Sequence, residues 1–185
     1  TLVSGDADSV KLWDTAAGTL RRTLKRAEGD PAIKGIDSMA LSFDRRVIAA
    51  VDWSSGRLLL WDAQTGNPLP EPERTTGGSI RSVAIARSGE IIATGGNSPV
   101  GSCEVRLWSV AEGRQTRIIG ESFLNDVYSM HFSPTGRALA TTSSGQFGNG
   151  IRIWSLDGTE PLVSLRNGTN AMPIAAVFTP SGSFA

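Results

Sequence analysis

The sequence predicts an all-β protein assembled from about four repeats of roughly 46 residues, each folding as a four-stranded antiparallel sheet. Three observations carry that prediction. Trp13, Trp61, Trp108 and Trp154 recur at spacings of 48, 47 and 46 residues, each closing a short alternating run: SVKLW, RLLLW, EVRLW and IRIW. A second series, SMALS from Ser38, SVAIA from Ser82, SMHFS from Ser129 and AAVFT from Ala175, keeps nearly the same period at 44, 47 and 46. Finally, 21 glycines and 9 prolines in 185 residues break the chain too often for long helices and suit short strands between tight turns.

Each period reads as four strands. The first is the Ser-apolar run, closed by a turn written DRR, RSGE, SPTGR or TPSGS. The second is VIAAVDW from Val47, IIATGG from Ile91 or ALATTSS from Ala138. The third ends on the recurring Trp, and a turn such as DTAAGT or DAQTGN leads to a fourth, less apolar run: TLRRTL, NPLPEP, RQTRII or PLVSL. Alternation with period two, bounded by Gly, Asp, Asn and Pro, marks half-buried strands joined by hairpins. Along the chain this gives a partial blade over 1–30, blades over about 36–74, 80–120 and 127–166, and the first strand of a further or closing blade over 173–185. One such sheet cannot cover both of its apolar faces, so neighbours must stack face to face, which is the architecture of a β-propeller. A Trp at one fixed position per sheet suits that stacking, since an indole buries roughly 150–250 Å² and its N–H needs only one polar partner.

These residues resemble the Trp-Asp repeat (WD-repeat) family of β-propellers over essentially the whole chain. Trp13-Asp14 and Trp61-Asp62 carry the family's dipeptide, and SGDADSVKLWD from Ser4 to Asp14 is similar to its third-strand approach. In the other copies the dipeptide is Trp108-Ser109 and Trp154-Ser155, and the family's Gly-His dipeptide is missing. The resemblance implies blades rigidified by a hydrogen-bonded tetrad of Trp, Ser or Thr, His and Asp. With His131 as the only histidine, placed inside a first strand, that tetrad cannot form in full.

The two chain ends are in phase. Matching positions across them are separated by 20 residues, against 20, 23 and 22 in the intact copies. Either four blades close on themselves by pairing strands from both ends, or, the favoured reading, these are four repeats of a longer propeller. The resemblance implies a ring of about seven or eight blades. Thr1 in place of Met, with no basic-then-apolar opening, also reads as a piece of something longer without a visible signal peptide.

Composition narrows the function. Eighteen basic side chains against 18 acidic ones leave no excess charge for a nucleic-acid arm or a polybasic membrane anchor. Hydrophobic residues at 39% and charged ones at 19% describe a globular chain, and no apolar run reaches the roughly 20 residues of a membrane helix. Cys103 stands alone, which excludes an intramolecular disulfide and a Cys-rich zinc site. His131, between Met130 and Phe132, reads as a core or channel-lining residue rather than a catalytic one. Asp6 and Asp8 lead into SVKLW without the further oxygens of a calcium loop, so they read as a hydrogen-bonding turn, and no metal site is expected. The glycines from Gly145 to Gly150 lack the order of a dinucleotide fingerprint, and the Asn167-Gly168-Thr169 sequon is discounted without a signal peptide.

What remains is surface. Loops joining second to third strands, and fourth strands to the next first strand, share one face, which the resemblance marks as a frequent partner-binding face. There the chain spends extra residues: KRAEGDPAIKG from Lys25 to Gly35, GGNSPVGSC from Gly95 to Cys103, and SSGQFGNG from Ser143 to Gly150. The candidate partner-binding residues in or beside these loops are Trp53, Phe123 and Phe147, with Arg74 and Lys34 for polar contacts, because aromatic and Arg side chains anchor interfaces. Folding back of Trp53 and Phe123 over the blade ends is an equal reading, and Phe147, among Gly145, Gly148 and Gly150, is the strongest candidate. The function expected is a non-catalytic protein–protein interaction scaffold in the cytoplasm, without cofactor, serving a protein partner or other domains of the same parent chain. The alternative is an enzymatic or cofactor-binding propeller. The turns DAQTG and DTAAG are loosely similar to quinoprotein repeats, yet those place an aromatic residue after Thr-Gly, where this chain has GNPLPE and GTLRRT.

Overall fold

The computed structural model describes residues 1–6, 9–24, 33, 35–52, 55–72, 79–97, 103–124, 126–144, 149–159, 161–166 and 175–179, with backbone alone at 97, 103, 120–124, 144 and 166. These residues form four antiparallel sheets and no helix. The first contains β1 (Leu2–Gly5), β2 (Val10–Asp14) and β3 (Thr19–Leu24), and the second β4 (Ile36–Leu41), β5 (Val47–Asp52) and β6 (Arg57–Asp62). The third contains β7 (Ile80–Ile85), β8 (Ile91–Asn97), β9 (Cys103–Ser109) and β10 (Arg114–Leu124). The fourth contains β11 (Asp126–Phe132), β12 (Ala138–Ser144), β13 (Gly150–Ser155) and β14 (Pro161–Arg166). Each is a meander with strands in sequence order, as hairpin connections require. Neighbouring sheets approach at their inner strands, β4 beside β7 and β7 beside β11, and fan outward from that side as propeller blades do.

Three apolar layers lie between the four sheets. Val10, Leu12 and Leu24 meet Ile48, Ala50, Leu59 and Trp61. The other face of the second sheet, through Ala49, Val51, Leu58 and Leu60, meets Val83, Ile92 and Trp108. Val105, Leu107 and Ile119 then meet Met130, Leu139 and Trp154. The period of two along β5 and β6 therefore serves two layers at once, which explains why those strands are apolar on both faces. Every buried Trp packs on the preceding sheet. Trp13 holds the same register in β2, has no earlier sheet against it among the described residues, and is only half-buried.

The indole N–H groups find partners by register. Trp13, Trp108 and Trp154 pair with Leu2, Ile92 and Leu139, and each donates to the hydroxyl two residues further along the second strand. The acceptors are Ser4 Oγ at 2.8 Å, Thr94 Oγ1 at 2.8 Å and Thr141 Oγ1 at 2.9 Å. In the second sheet the equivalent position is Ala50, which offers no hydroxyl. Half of the expected tetrad is thus kept in three sheets without any histidine. Thr94→Val is expected to cost about 1–3 kcal/mol, because it strands a buried N–H, whereas Thr94→Ser is expected to keep most of the stability. Denaturant unfolding of the two variants checks this, and equal losses would show that the hydroxyl is irrelevant.

The Asp of the Trp-Asp dipeptide acts in the turn that follows. Asp14 Oδ1 accepts from the amides of Ala16 and Ala17, and Asp62 Oδ1 from those of Gln64 and Thr65. The Ala17 amide in one turn and the Thr65 amide in the other are the main reasons these carboxyls titrate below the usual range. Ser109 Oγ and Ser155 Oγ replace the carboxylates in the other two copies, accepting from Glu112 N and Asp157 N at 3.2 Å. Both kinds of turn in a sheet lie at the same end, tied by Ala63 N to Arg46 O, Val110 N to Glu90 O and Leu156 N to Arg137 O. This is the turn end. At the opposite end, called the loop end, the second strands finish and the first and third strands begin.

Several expectations need correction. NPLPEP is not a fourth strand: among the described residues only an isolated bridge, Trp61 to Pro68, extends the second sheet. Pro68, Pro70 and Pro72 supply no N–H to a ladder, which leaves Leu69 N to Leu60 O at 2.9 Å and Asn67 O to Asp62 N at 2.9 Å as the pairing. The loop expected over 95–103 is shorter, since β8 runs to Asn97 and β9 begins at Cys103. β10 continues past the expected fourth strand to Leu124, with a register shift between Ile119 and Leu124. His131 is exposed on β11 opposite Ala140, so the core half of its expectation fails, and partial desolvation lowers its pKa.

Candidate partner-binding surface

At the loop end each of the three described inner strands carries a β-bulge at the same register. The shifts fall between Ile36 and Ser38, Ile80 and Ser82, and Val127 and Ser129. A bulge sets two residues of one strand against one of its neighbour and re-aims a side chain. The residues inside the shifts are Asp37, Arg81 and Tyr128, all exposed. The serines after them lock neighbouring strands together: Ser38 Oγ accepts from Val83 N at 3.2 Å, and Ser82 Oγ donates to Val127 O at 3.1 Å. An acidic, a basic and an aromatic side chain are thereby set in a row across three adjacent sheets.

Electrostatics extend the row. Arg81 Nε lies 3.7 Å from Asp126 Oδ1, a buried oxygen that accepts no hydrogen bond among the described residues. At the same end Arg57 pairs with Glu71, and Arg106 with Glu104, both in partly buried positions. The loop end therefore carries both signs of charge.

The sequence candidates fare as follows. Trp53, Phe147, Arg74 and Lys34 lie outside the described residues. Phe123 lies in the distal part of β10, with backbone alone described, so it belongs to a strand rather than to the loop after it. Asp6 is a turn residue, accepting from Ser9 N at 2.7 Å and pairing with Lys11 Nζ at 2.6 Å, while Asp8 lies outside the described residues. Among the described residues no three His, Cys, Asp or Glu side chains converge as metal ligands would. Sequence reading missed the bulge row although a marker was present: each member immediately precedes a serine of the repeated series.

Residues 114–155, which include β11, β12 and β13, match the family model of the WD domain, G-beta repeat. That span of the chain is similar to a WD repeat. The chain is also similar to Protein groucho of Drosophila melanogaster, 28% identical over 139 residues that make up 75% of this chain and 18% of that protein. The chain thus spans about a fifth of the relative's length. The matched span runs from the fourth strand of one blade to the third of the next and ends on Trp154-Ser155. The WD-repeat pattern is therefore legible here although Ser replaces Asp in the dipeptide.

Proposed function

We propose that this chain is a non-catalytic interaction scaffold whose loop end docks a protein partner or other domains of its parent chain. The row of Asp37, Arg81 and Tyr128 carries the reading, because three equivalent bulges place chemically different side chains at one level of a rigid surface. Rigid sheets below and varied side chains above are what a selective docking face needs. The WD-repeat likeness supports a protein partner, and equal numbers of acidic and basic residues favour it over nucleic acid or a membrane. Trp53, Phe123, Phe147, Lys34 and Arg74, the candidates read from the sequence, are proposed as further members of this face.

The test is capture of a purified partner by the wild-type chain and by Tyr128→Ala, Arg81→Glu, Phe147→Ala and Trp53→Ala. A loss of about tenfold or more, the scale of an interface anchor, is expected with the unfolding midpoint unchanged. Undiminished capture by all four variants would move the docking face elsewhere. Loss of fold would reassign the affected residue to packing.

A further inference from the structure

The turn end holds a second feature. A cleft of about 540 Å³ opens between the first and second sheets, walled by Arg21 and Arg22 of β3, Arg45 of the β4–β5 turn, and Gln64 of the turn after β6. Asp44 is the one carboxylate in its described lining. That carboxylate is already engaged, accepting from Ser42 Oγ at 2.6 Å and Arg46 N at 3.0 Å. Among the described residues none of the three guanidinium groups donates a hydrogen bond or closes an ion pair. Arg21 feels Asp14 only as a nearby charge.

Two backbone features place these arginines. Arg45 has φ +60°, the left-handed conformation that the equivalent positions of the next two sheets give to glycine, Gly89 at +76° and Gly136 at +70°. An L-residue is held there against its own preference, so this turn carries a guanidinium where its counterparts carry no side chain. Arg22 lies across Gly66, where an added Cβ would meet its Cδ at 2.4 Å and Nη1 at 2.6 Å. The counterparts Gly18 and Gly113 have nothing within 4 Å. A strained turn and an accommodating glycine therefore converge on one cleft.

We propose that this cleft binds a phosphorylated side chain of a partner peptide. Three arginines less Asp44 leave two positive charges, which matches a phosphate monoester of about −1.5 to −2, whereas one carboxylate would leave a charge unanswered. Guanidinium forks suit phosphate oxygens bidentately, and Gln64 supplies a neutral donor. The volume fits one modified side chain and its flanking residues, and the balanced charge of the whole chain gives a membrane surface little purchase. The site lies at the opposite end from the bulge row and does not depend on the scaffold reading.

The experiment presents the 185-residue chain with a degenerate peptide pool centred on phosphoserine, the same pool with serine, and the same pool with glutamate. The phosphorylated pool is expected to be retained at least about tenfold better than either other, with retention falling as salt rises. Inorganic phosphate is expected to compete. Arg45→Gly is the decisive variant, since it removes a guanidinium while installing the residue its sister turns use. It is expected to lose about tenfold in retention with an undiminished unfolding midpoint, and Arg22→Gln a similar amount. Tyr128→Ala is expected to leave retention unchanged, which separates this site from the loop end. Equal retention of the three pools, wild-type retention by Arg45→Gly, or capture of phosphoinositide vesicles without capture of the peptides would each overturn the proposal.

Discussion

Trp108→Ala is expected to lower the unfolding free energy by about 3–5 kcal/mol, the range for deleting a buried aromatic side chain. Trp108 is 2% exposed and fills the layer between the second and third sheets, against Ala49, Val51, Leu58 and Leu60. The strands around it are fixed by their ladders, so the cavity cannot collapse freely, and Thr94 Oγ1 loses its donor as well. Trp108→Phe narrows the two contributions, since it keeps an aromatic ring in the slot while removing the N–H and part of the volume, and Thr94→Val removes the acceptor alone. Trp13→Ala is the comparison, because the same register position is half-buried there and should cost roughly half as much. Urea unfolding of these variants decides the matter. A Trp108→Ala loss no larger than that of Trp13→Ala would mean that the indole is not wedged between sheets.

Gly96→Ala is expected to cost about 3 kcal/mol, the upper end for overpacking. A Cβ on Gly96 would stand 1.9 Å from Ser79 O and 2.7 Å from Ile80 Cα, and both are backbone atoms that no rotamer change can move aside. Gly96 pairs with Ile80 on one side and Glu104 on the other, so any shift must be shared by three strands beside the β7 bulge. Gly18→Ala serves as the control: it has open space around it and φ +65°, so it should cost only the left-handed strain of about 1–2 kcal/mol. Thermal or denaturant unfolding ranks the pair, and a Gly96→Ala variant as stable as Gly18→Ala would deny the close approach.

Much of the fold was legible because its signals are local. The Trp period and the Ser-apolar series placed strands wherever apolar residues alternated, and they located the three indole layers before any packing was known. NPLPEP misled because its place in the period outweighed its composition, and three prolines can bond a neighbour only through the residues between them. Less of the functional surface was legible. Choosing aromatic and Arg residues in long loops points at Trp53, Phe147, Arg74 and Lys34, yet it cannot see a bulge. Asp37, Arg81 and Tyr128 look like ordinary members of alternating strands until the register shift shows that each sits in a bulge.

By itself the sequence determined the all-β class, the four repeats, the slot of each Trp and the WD-repeat resemblance, because alternation and turn chemistry act over a few residues. Tertiary structure alone decided what the inner strands present, why Gly96 must stay bare, and how Arg21 and Arg22 come to face Arg45 across a cleft. These features arise where segments distant in the chain approach each other, as Ile80 does Gly96 within a sheet and Arg22 does Arg45 between sheets. The distance between such segments is set by strand register and by the stacking of whole sheets, neither of which a local pattern encodes.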